Sequence, residues 1–415
     1  MKAARQLARW LDELGRISDE RGRLTRTFLS PAMGRANALV SRWMREAGLA
    51  VRFDAVGNVI GRLDGPDARS KTLLLGSHLD TVRNAGKFDG PLGVLLPVVA
   101  LAELRRRGVA LPFAVEVIGF SEEEGVRFAS AYLGSKGYAG LLTTADLNLR
   151  DAGGVSVGEA ISHGSRGTAT AAKLREAARP PRSRDLIGYV EVHIEQGPVL
   201  EQAKLAVGVV SAIAGQSRFR LTWSGMAGHA GTTPMNLRRD ALAGAAEFVS
   251  GVEALARRTP GLVATVGLIE VSGGAANVIP GEVTHTLDVR HARDAVRRDA
   301  LMRMGRLATR IARNRGLERH WLRTQDNAAV ACAPALTAQL ARSVEAVQGS
   351  CLSLVSGAGH DGVVLSALAP VAMLFVRCRD GLSHHPAEHA SPADCDVALR
   401  VMVDFIARMA QQHGR

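Results

Sequence analysis

A histidine and two carboxylates lie close together directly after an apolar run. The stretch GSHLDTVRNAGKFDG places His78, Asp80 and Asp89 behind three leucines. Three further apolar runs also end in clusters of polar side chains, which are Glu122, Glu123 and Glu124, then His193 with Glu195, and finally Ser383, His384 and His385. Imidazoles and carboxylates together are the ligands that proteins offer to divalent transition metals. These residue types therefore predict a metal site.

The carboxylates indicate a pair of ions. Two metals about 3.5 to 4 Å apart need one carboxylate that bridges them, and Asp89 is the natural bridge. Glu122, Glu123 and Glu124 repel one another at neutral pH, and a nearby metal pair would explain why three glutamates stand together. Alternatively, each cluster caps a helix or lies in a surface loop. The joint occurrence of four clusters favours the metal site.

Four short apolar runs supply the elements that would position these side chains. Residues 73–78, 113–120, 189–194 and 371–376 are typical of buried strands in a parallel sheet, and helical segments such as 92–107 lie between them. Two helices are predicted within residues 1–48. Sites in α/β sheets collect outside the carboxyl ends of the strands. We therefore predict an α/β domain in which the four clusters meet.

Residues 214–328 follow a different pattern. The runs RFRLTW, LVATVGLIEV and EVTHTLDV alternate like half-buried strands, whereas residues 237–257 and 296–311 repeat with helical period. The order β-α-β-β-α-β predicts a split βαβ sandwich with an open sheet edge that can pair with a partner. The buried-strand pattern resumes only near Leu354. We therefore predict a catalytic domain of residues 1–213 and 329–415, with residues 214–328 inserted.

Composition narrows the class of protein. The 415 residues are 47% hydrophobic, which points to about two globular domains. The net charge of +12 does not predict nucleic-acid binding, because the arginines are dispersed and only 4% of residues are aromatic. The charged N-terminus and the lack of a long apolar run predict no signal peptide, no membrane partner and a cytoplasmic location. The four cysteines form no C-x-x-C pair and are interpreted as ordinary thiols.

Nine motifs in order along the chain resemble the M20 metallopeptidase clan. They are GSHLDTV, the Asp-Gly pair at 89 and 90, SEEEG, EVHIEQGP, GHAGTTPM, NVIPG, LDVRH, SGAGHD and LSHHPAE. Within the clan they are most similar to the amidohydrolase branch that contains allantoate amidohydrolase and N-carbamoyl-L-amino acid hydrolase. The resemblance implies a mixed-sheet α/β metallohydrolase domain with an inserted ferredoxin-like (βαββαβ) lid and dimerisation domain. A homodimer through residues 214–328 is therefore expected.

The resemblance also implies a ligand set for two divalent metal ions. One ion is held by His78, Asp89 and His193, and the other by Asp89, Glu124 and His384. Asp80 resembles the carboxylate that orients His78. Zinc or manganese is expected, and cobalt or nickel also suits such mixed sites. His385 stands where the family usually carries asparagine, and it could compete with His384 as the ligand.

Two residues are implied as catalytic. Glu123 resembles the general base, because a carboxylate beside Glu124 can take a proton from the attacking water and pass it to the leaving nitrogen. His229, in the inserted domain, resembles a histidine that reaches the site from a partner subunit or a closing lid and stabilises the oxyanion. The alternative for His229 is a structural role before a helix capped at Thr233 and Pro234.

Further positions resemble the substrate-binding residues of the family. Asn277 and Arg290 are implied to clamp the substrate carboxylate, since arginine offers a planar bidentate fork. Gln196, Gly359 and His360 are implied to line the same pocket. A surface ion pair is the alternative for Arg290. Gly228, where the family commonly carries asparagine, leaves the detailed shape of the pocket open.

The leading hypothesis is a metal-dependent hydrolase that cleaves the ureido C–N bond of a small carboxylate. Allantoate is the first substrate, which would place the enzyme in purine catabolism. N-carbamoyl-L-amino acids are the second, together with a β-ureidopropionase-like activity. The imidazole of His193 favours this branch, because peptidase relatives usually carry an acidic residue there. A third hypothesis is a binding protein on a decayed M20 fold, but the base and all five ligands are present.

Overall fold

The computed structural model describes residues 2–163, 170–178 and 182–414. The chain divides into two compact units, the first formed by Met1–Ser211 with Cys332–Arg415 and the second by Ala212–Ala331. No helix within the described part of the chain is long and apolar enough to cross a membrane. The four cysteines are free thiols.

Helices and short strands alternate along most of the chain. The helices are α1 (Lys2–Leu14), α2 (Pro31–Glu46), α3 (Pro91–Arg106), α4 (Leu133–Ala139), α5 (Thr144–Asn148), α6 (Val157–His163), α7 (Ala171–Ala178), α8 (Val199–Gln202), α9 (Ala241–Arg258), α10 (Asp294–Arg315), α11 (Pro334–Gln348), α12 (Gly362–Leu365) and α13 (Pro392–His413). The strands are β1 (Ala50–Phe53), β2 (Val59–Leu63), β3 (Thr72–His78), β4 (Ala114–Phe120), β5 (Leu186–Ile194), β6 (Val207–Ile213), β7 (Gly215–Ser224), β8 (Gly228–His229), β9 (Val263–Thr265), β10 (Ile269–Ser272), β11 (Val278–Ile279), β12 (Glu282–His291), β13 (Glu318–Asn327), β14 (Val330–Ala331), β15 (Ser353–Ser356) and β16 (Val371–Val376).

One mixed sheet organises the first unit. Its strands lie in the order β1-β2-β4-β3-β5-β16-β6, and β15 also pairs with β6. Strands β4, β3, β5 and β16 run parallel to one another, whereas β1, β2 and β6 are antiparallel to their neighbours. The predicted α/β class with a mixed sheet is confirmed. The four predicted apolar runs form the four parallel strands at its centre.

The central strands are buried on both faces. Every residue of β3, β4 and β16 is buried, which explains why these strands are continuous apolar runs rather than alternating ones. Helix α3 is apolar around most of its circumference, because it packs against β3 while α1 and α13 cover it. The strand ends are therefore held rigidly by a close-packed core.

The second unit has its own sheet and core. Strands β10, β12, β7 and β13 lie in that order, all antiparallel, and β9 also pairs with β12. Burial alternates along β7 and β12, and their buried side chains pack with those of α9 and α10. Trp223 and Phe248 are fully buried at the centre of this core. The chain order of the unit is βαββαβ, counting β9 and β10 as one broken strand.

Two expectations for the second unit were wrong in detail. The alternating run LVATVGLIEV forms two short strands, β9 and β10, because the N–H of Leu268 donates to the side-chain hydroxyl of Thr286 instead of its carbonyl and interrupts the ladder. The helix expected over 237–257 begins at Ala241, where the side chain of Asp240 accepts the Ala243 N–H at 2.9 Å. Thr233 and Pro234 therefore do not cap this helix.

Candidate metal centre

The parallel strands bring the polar clusters to one edge of the sheet. His78, the last residue of β3, is in register with Phe120, the last residue of β4, and the three glutamates follow after Ser121. His193 on β5 is in register with Phe375 on β16. Because the carboxyl ends of parallel strands point the same way, these side chains converge.

Asp89 lies at the centre of this convergence. Its Oδ1 is 3.4 Å from His78 Nε2 and 3.1 Å from His193 Nε2. Its Oδ2 faces away from that pair and is 3.4 Å from His384 Nε2, which in turn is 3.7 Å from Glu124 Oε2. The two oxygens of one carboxylate thus face two separate groups of ligand atoms, which is the geometry of a bridging ligand.

Both imidazoles at Oδ1 are oriented by oxygen atoms behind them. His78 Nδ1 is 3.1 Å from the carbonyl of Asp80 and 3.3 Å from its Oδ1, and His193 Nδ1 is 2.9 Å from the carbonyl of Ile194. With a proton on Nδ1 directed at these oxygens, each Nε2 would be available to a metal ion on the Oδ1 side of Asp89. The φ of +80° at Gly90 allows the chain to turn beside His78, where a Cβ would lie 2.5 Å from the ring.

Asp80 also fixes the glutamate segment. Its Oδ1 accepts the N–H of Glu123 at 3.0 Å and its Oδ2 accepts the N–H of Glu124 at 3.1 Å. One buried carboxylate therefore couples the orientation of His78 to the positions of two carboxylates on the neighbouring strand end. The aspartate two residues after His78 thus contacts both that histidine and the glutamate segment.

The buried carboxylates need compensating positive charge. Burial raises the pKa of Glu122, Glu123 and Glu124 well above the ordinary value, and the charge of Asp89 adds to the rise at Glu124. At Asp89 burial would raise the pKa, but His193 and His78 hold it well below its usual range. Divalent cations would supply the missing charge and displace the protons. The donor set therefore fits divalent metal ions.

Among the residues that the structure describes, three ligand groups meet the spacing that a metal ion requires. In each group the ligand atoms lie within 4.8 Å of one another, and the groups are His78 with Asp89 and His193, Asp89 with Glu124 and His384, and His78 with Glu123 and Glu124. The first two match the ligand sets implied by the sequence resemblance. The third group contains Glu123, which is 8% exposed and lies beside one ligand of each of the other two groups, His78 and Glu124. Glu123 can therefore act either as a base or as a ligand.

The structure separates His384 from its neighbour His385. His384 faces Asp89 and Glu124, whereas His385 Nδ1 accepts the N–H of Ala387 at 3.1 Å within its own loop. The backbone of His384 adopts a left-handed conformation with φ of 56°, which is uncommon outside glycine and turns the ring towards Asp89. The side chain of His384 is 51% exposed, so this side of the centre is open to solvent.

Gln196 contacts the centre itself rather than lining a separate pocket. Its Nε2 donates to Asp89 Oδ2 at 2.8 Å and lies 3.4 Å from His384 Nε2. Like His384, Gln196 has a left-handed backbone, with φ of 57°. Two strained residues thus flank the same carboxylate oxygen, as is common at functional sites.

Gly359 and His360 pack behind the centre. His360 is 1% exposed, its Nε2 is 2.7 Å from Ser356 Oγ, and its ring lies edge-on to His193 with the centroids 4.6 Å apart. A Cβ at Gly359 would collide with the hydroxyl of Tyr132. His360 therefore supports His193, and its predicted contact with substrate stays a prediction.

The remaining predicted residues belong to the second unit. His229 is exposed on β8, where it pairs with Val278, and its Nδ1 accepts the Gly231 N–H at 3.0 Å. The carbonyl of Asn277, beside that pair, accepts the Ala230 N–H at 2.9 Å. The guanidinium of Arg290 binds both oxygens of Asp288, at 2.8 Å each. The ion pair considered as an alternative for Arg290 is thus present.

Sequence reasoning assigned no role to three residues that support the centre. Glu388 accepts the backbone N–H groups of Phe88 and Asp89, and Ser383 contacts both Glu388 and Asp89. Burial and the charge of Asp89 raise the pKa of Glu388 to about 7. Glu191, buried within β5, links Ser77 on β3 to the N–H of Gly362. A carboxylate inside an apolar strand was the available signal for Glu191.

Comparison with known proteins gives consistent results. Peptidase family M20/M25/M40 matches residues 74–408. Allantoate deiminase 2 of Glycine max is 40% identical, over 96% of this chain and 88% of that protein. N-carbamoyl-L-amino acid amidohydrolase of Geobacillus stearothermophilus is 41% identical, over 97% of both chains. The crystal structure of an amidase of the hydantoinase/carbamoylase family from Burkholderia multivorans matches with a TM-score of 0.91 and 34% identity, covering 98% of each chain.

Proposed function

The chain belongs to peptidase family M20/M25/M40, and from that premise we propose that it is a binuclear metal-dependent amidohydrolase that cleaves the ureido C–N bond of allantoate. The observation that carries the proposal is the position of Asp89, with one oxygen facing His78 and His193 and the other facing His384. The similarity to a plant allantoate deiminase over nearly the whole chain supports the reaction class.

The metals would bind on either side of Asp89. His78 and His193 would hold one ion, Glu124 and His384 would hold the other, and Asp80 would keep His78 in the required orientation. When bound, such ions polarise the substrate carbonyl and make a nearby water more acidic. Their identity is proposed as zinc or manganese, since imidazole with carboxylate accepts both.

Glu123 would move the proton. Its carboxylate lies beside both ligand groups, and the hydrogen bond from its N–H to Asp80 fixes its backbone. Burial raises its pKa well above the ordinary value, whereas the nearby imidazole of His78 lowers it. Added positive charge would lower it further, so that Glu123 could accept a proton from water and release it to the leaving nitrogen near neutral pH.

The second unit would complete the substrate site. We propose that Asn277 and Arg290 bind the substrate carboxylate, and that Asp288 fixes the plane of the Arg290 guanidinium for this role. His229 is exposed and would donate to the oxyanion, either from this chain or from a partner. A homodimer through residues 214–328 would allow the second arrangement. The cytoplasmic location stays a prediction.

N-carbamoyl-L-amino acids are the second candidate substrates. The enzyme of Geobacillus stearothermophilus that is named for them is 41% identical and matches 97% of both chains, so the similarity is as extensive as for the plant enzyme. Both substrates carry a ureido group and a carboxylate. The same catalytic residues would therefore serve either one, and the shape of the pocket would decide.

Ammonia release distinguishes the two substrates. Metal-free protein is loaded with manganese or zinc and incubated with allantoate and, in parallel, with a panel of N-carbamoyl-L-amino acids. The proposal expects the highest kcat/KM for allantoate. After chelation of the metal, neither substrate should release ammonia. Faster cleavage of a carbamoyl amino acid would be consistent with the proposed mechanism but would identify that compound, not allantoate, as the substrate. Metal-loaded protein that releases no ammonia from any of them would refute the proposed function.

A further inference from the structure

Glu388 is buried directly behind the loop that carries the bridging carboxylate. It is 5% exposed, and its Oε1 accepts two consecutive backbone N–H groups, from Phe88 at 2.9 Å and from Asp89 at 3.0 Å. A carboxylate that accepts two N–H groups from one turn fixes the direction of that turn, because each bond is charge-assisted and angle-dependent. Glu388 therefore holds the backbone from which Asp89 projects.

The same glutamate is also connected to the side chain of Asp89. Ser383 Oγ lies 3.1 Å from Glu388 Oε2 and within hydrogen-bond distance of Asp89 Oδ2. The contacts form a closed ring: Glu388 holds the backbone N–H of Asp89 with one oxygen and, through Ser383, reaches the side chain of Asp89 with the other. Rotation of the Asp89 carboxylate would break this ring.

The position of Glu388 is itself tightly restricted. A Cβ at Gly86 would collide with the side chain of Glu388, so the loop packs closely against it. The orientation of Asp89 is critical because its two oxygens face different ligand groups. A modest rotation would withdraw one oxygen from His193 or the other from His384.

We propose that Glu388 is a positioning residue of the metal centre, and that it fixes Asp89 in the bridging orientation through its two backbone N–H contacts and through Ser383. The inference rests on the proposed function, because it assumes that Asp89 binds both ions. It assigns Glu388 no contact with the substrate.

Metal binding by the whole protein tests this role. Manganese is titrated against a chelator of known affinity into wild type, Glu388→Ala, Glu388→Gln and Ser383→Ala. Loss of residues that orient metal ligands typically weakens metal binding about 10- to 100-fold, and this range is expected for Glu388→Ala. Glu388→Gln should lie closer to wild type, because its amide oxygen can still accept both N–H groups and its NH₂ can donate to Ser383. Ser383→Ala should weaken binding less than Glu388→Ala.

Glu201→Ala is the matched control. Glu201 also accepts a backbone N–H from the C-terminal segment, that of Asp380 at 2.9 Å, without contacting Asp89. Hydrogen exchange of the metal-free proteins gives a second readout. Exchange at Phe88 and Asp89 should increase in Glu388→Ala and remain unchanged in Glu201→Ala, whereas general destabilisation would raise it throughout.

The outcomes separate this inference from the proposed function. Wild-type protein that binds neither manganese nor zinc in the same titration would contradict the proposed function. Wild type that binds manganese, with Glu388→Ala equally tight, would overturn the positioning role alone. Equal losses in Glu388→Gln and Glu388→Ala would also overturn it, because the hydrogen bonds would then not be the cause. If Glu388→Ala does not fold, unchanged affinity in Ser383→Ala overturns the inference and weakened affinity supports it.

Discussion

Replacement of Glu123 by glutamine separates proton transfer from metal binding. Glutamine keeps the size of the side chain and the two backbone contacts of residue 123, which are its N–H to Asp80 Oδ1 at 3.0 Å and its carbonyl from Tyr132 N–H at 3.2 Å. The fold and the position of the side chain should therefore be retained. The ability to accept a proton is removed, together with the negative charge of the carboxylate.

The size of the effect follows from the position of Glu123. Its carboxylate is buried beside both ligand groups, and in the described part of the chain each of the other carboxylates of these groups faces a histidine. These carboxylates are then committed to the ligand groups rather than to proton transfer. A general base contributes about 10²- to 10⁴-fold in rate. Loss of Glu123 should thus raise the activation free energy by about 2.7 to 5.5 kcal/mol.

The assay pairs Glu123→Gln with Glu124→Gln. Metal content is measured by mass spectrometry after reconstitution and exhaustive dialysis, and kcat is measured by ammonia release. Glu123→Gln should keep the wild-type metal content and lose at least about 10²-fold in kcat, whereas Glu124→Gln should lose metal. If Glu123→Gln instead loses an ion, Glu123 is a ligand, as the group His78, Glu123 and Glu124 would permit. Full activity in Glu123→Gln would refute its role as the base.

Three further perturbations test other parts of the site. Asp80→Asn should weaken metal binding about 10- to 100-fold, because His78 and the N–H groups of Glu123 and Glu124 lose a charged partner. Unchanged affinity in a chelator titration would exclude a role of Asp80 in orienting these residues. His229→Ala should lower kcat with metal content intact, and mixing with Glu123→Gln should restore activity only if the histidine acts on a partner subunit. Melting of the metal-free protein should show stability falling as the pH rises above the ordinary glutamate pKa of 4.5 and through about 7, the pKa of Glu388. The raised pKa values of Glu122, Glu123, Glu124 and Glu388 mean that the folded chain binds protons there that the unfolded chain does not. Metal binding should release those protons, so calorimetry in buffers of different ionisation enthalpy that detects no release would contradict the charge assignments.

The sheet and its polar edge could be predicted because both depend on local pattern. Burial on both faces forces the central strands to be continuous apolar runs, and such runs are visible in the sequence. Parallel strands bring their carboxyl ends together, so His78, Glu124 and His193 could be placed at one edge without knowledge of the loops. The resemblance then assigned individual ligands.

The contact between Asp80 and His78 was expected from the resemblance, but the other contacts that orient these ligands could not be predicted. Gln196 and His384 reach Asp89 through left-handed backbone conformations, which glutamine and histidine do not predict. Glu388 acts on a loop far away in the chain, and its partners are backbone N–H groups. Such contacts depend on the path of the loops, which apolar periodicity does not encode.

Arg290 is an instructive intermediate case. On a strand, residues two apart share a face, so Asp288 lies beside Arg290 by sequence spacing alone. Arg218 stands opposite Asp288 on the neighbouring strand and also binds it, at 2.8 Å. The ion pair was therefore predictable from strand period and charge. The proposed binding of a substrate carboxylate by Arg290 was not predictable in this way.

The stoichiometry of metal binding in Asp89→Asn tests the central claim most directly. If Asp89 bridges two sites, reconstituted wild type binds two ions per chain and Glu124→Gln loses one of them. Asp89→Asn should be depleted at both sites, because one oxygen of Asp89 faces His78 and His193 and the other faces His384. A single ion in wild type, or an Asp89→Asn protein that still binds two ions with wild-type affinity, would contradict the bridged metal centre.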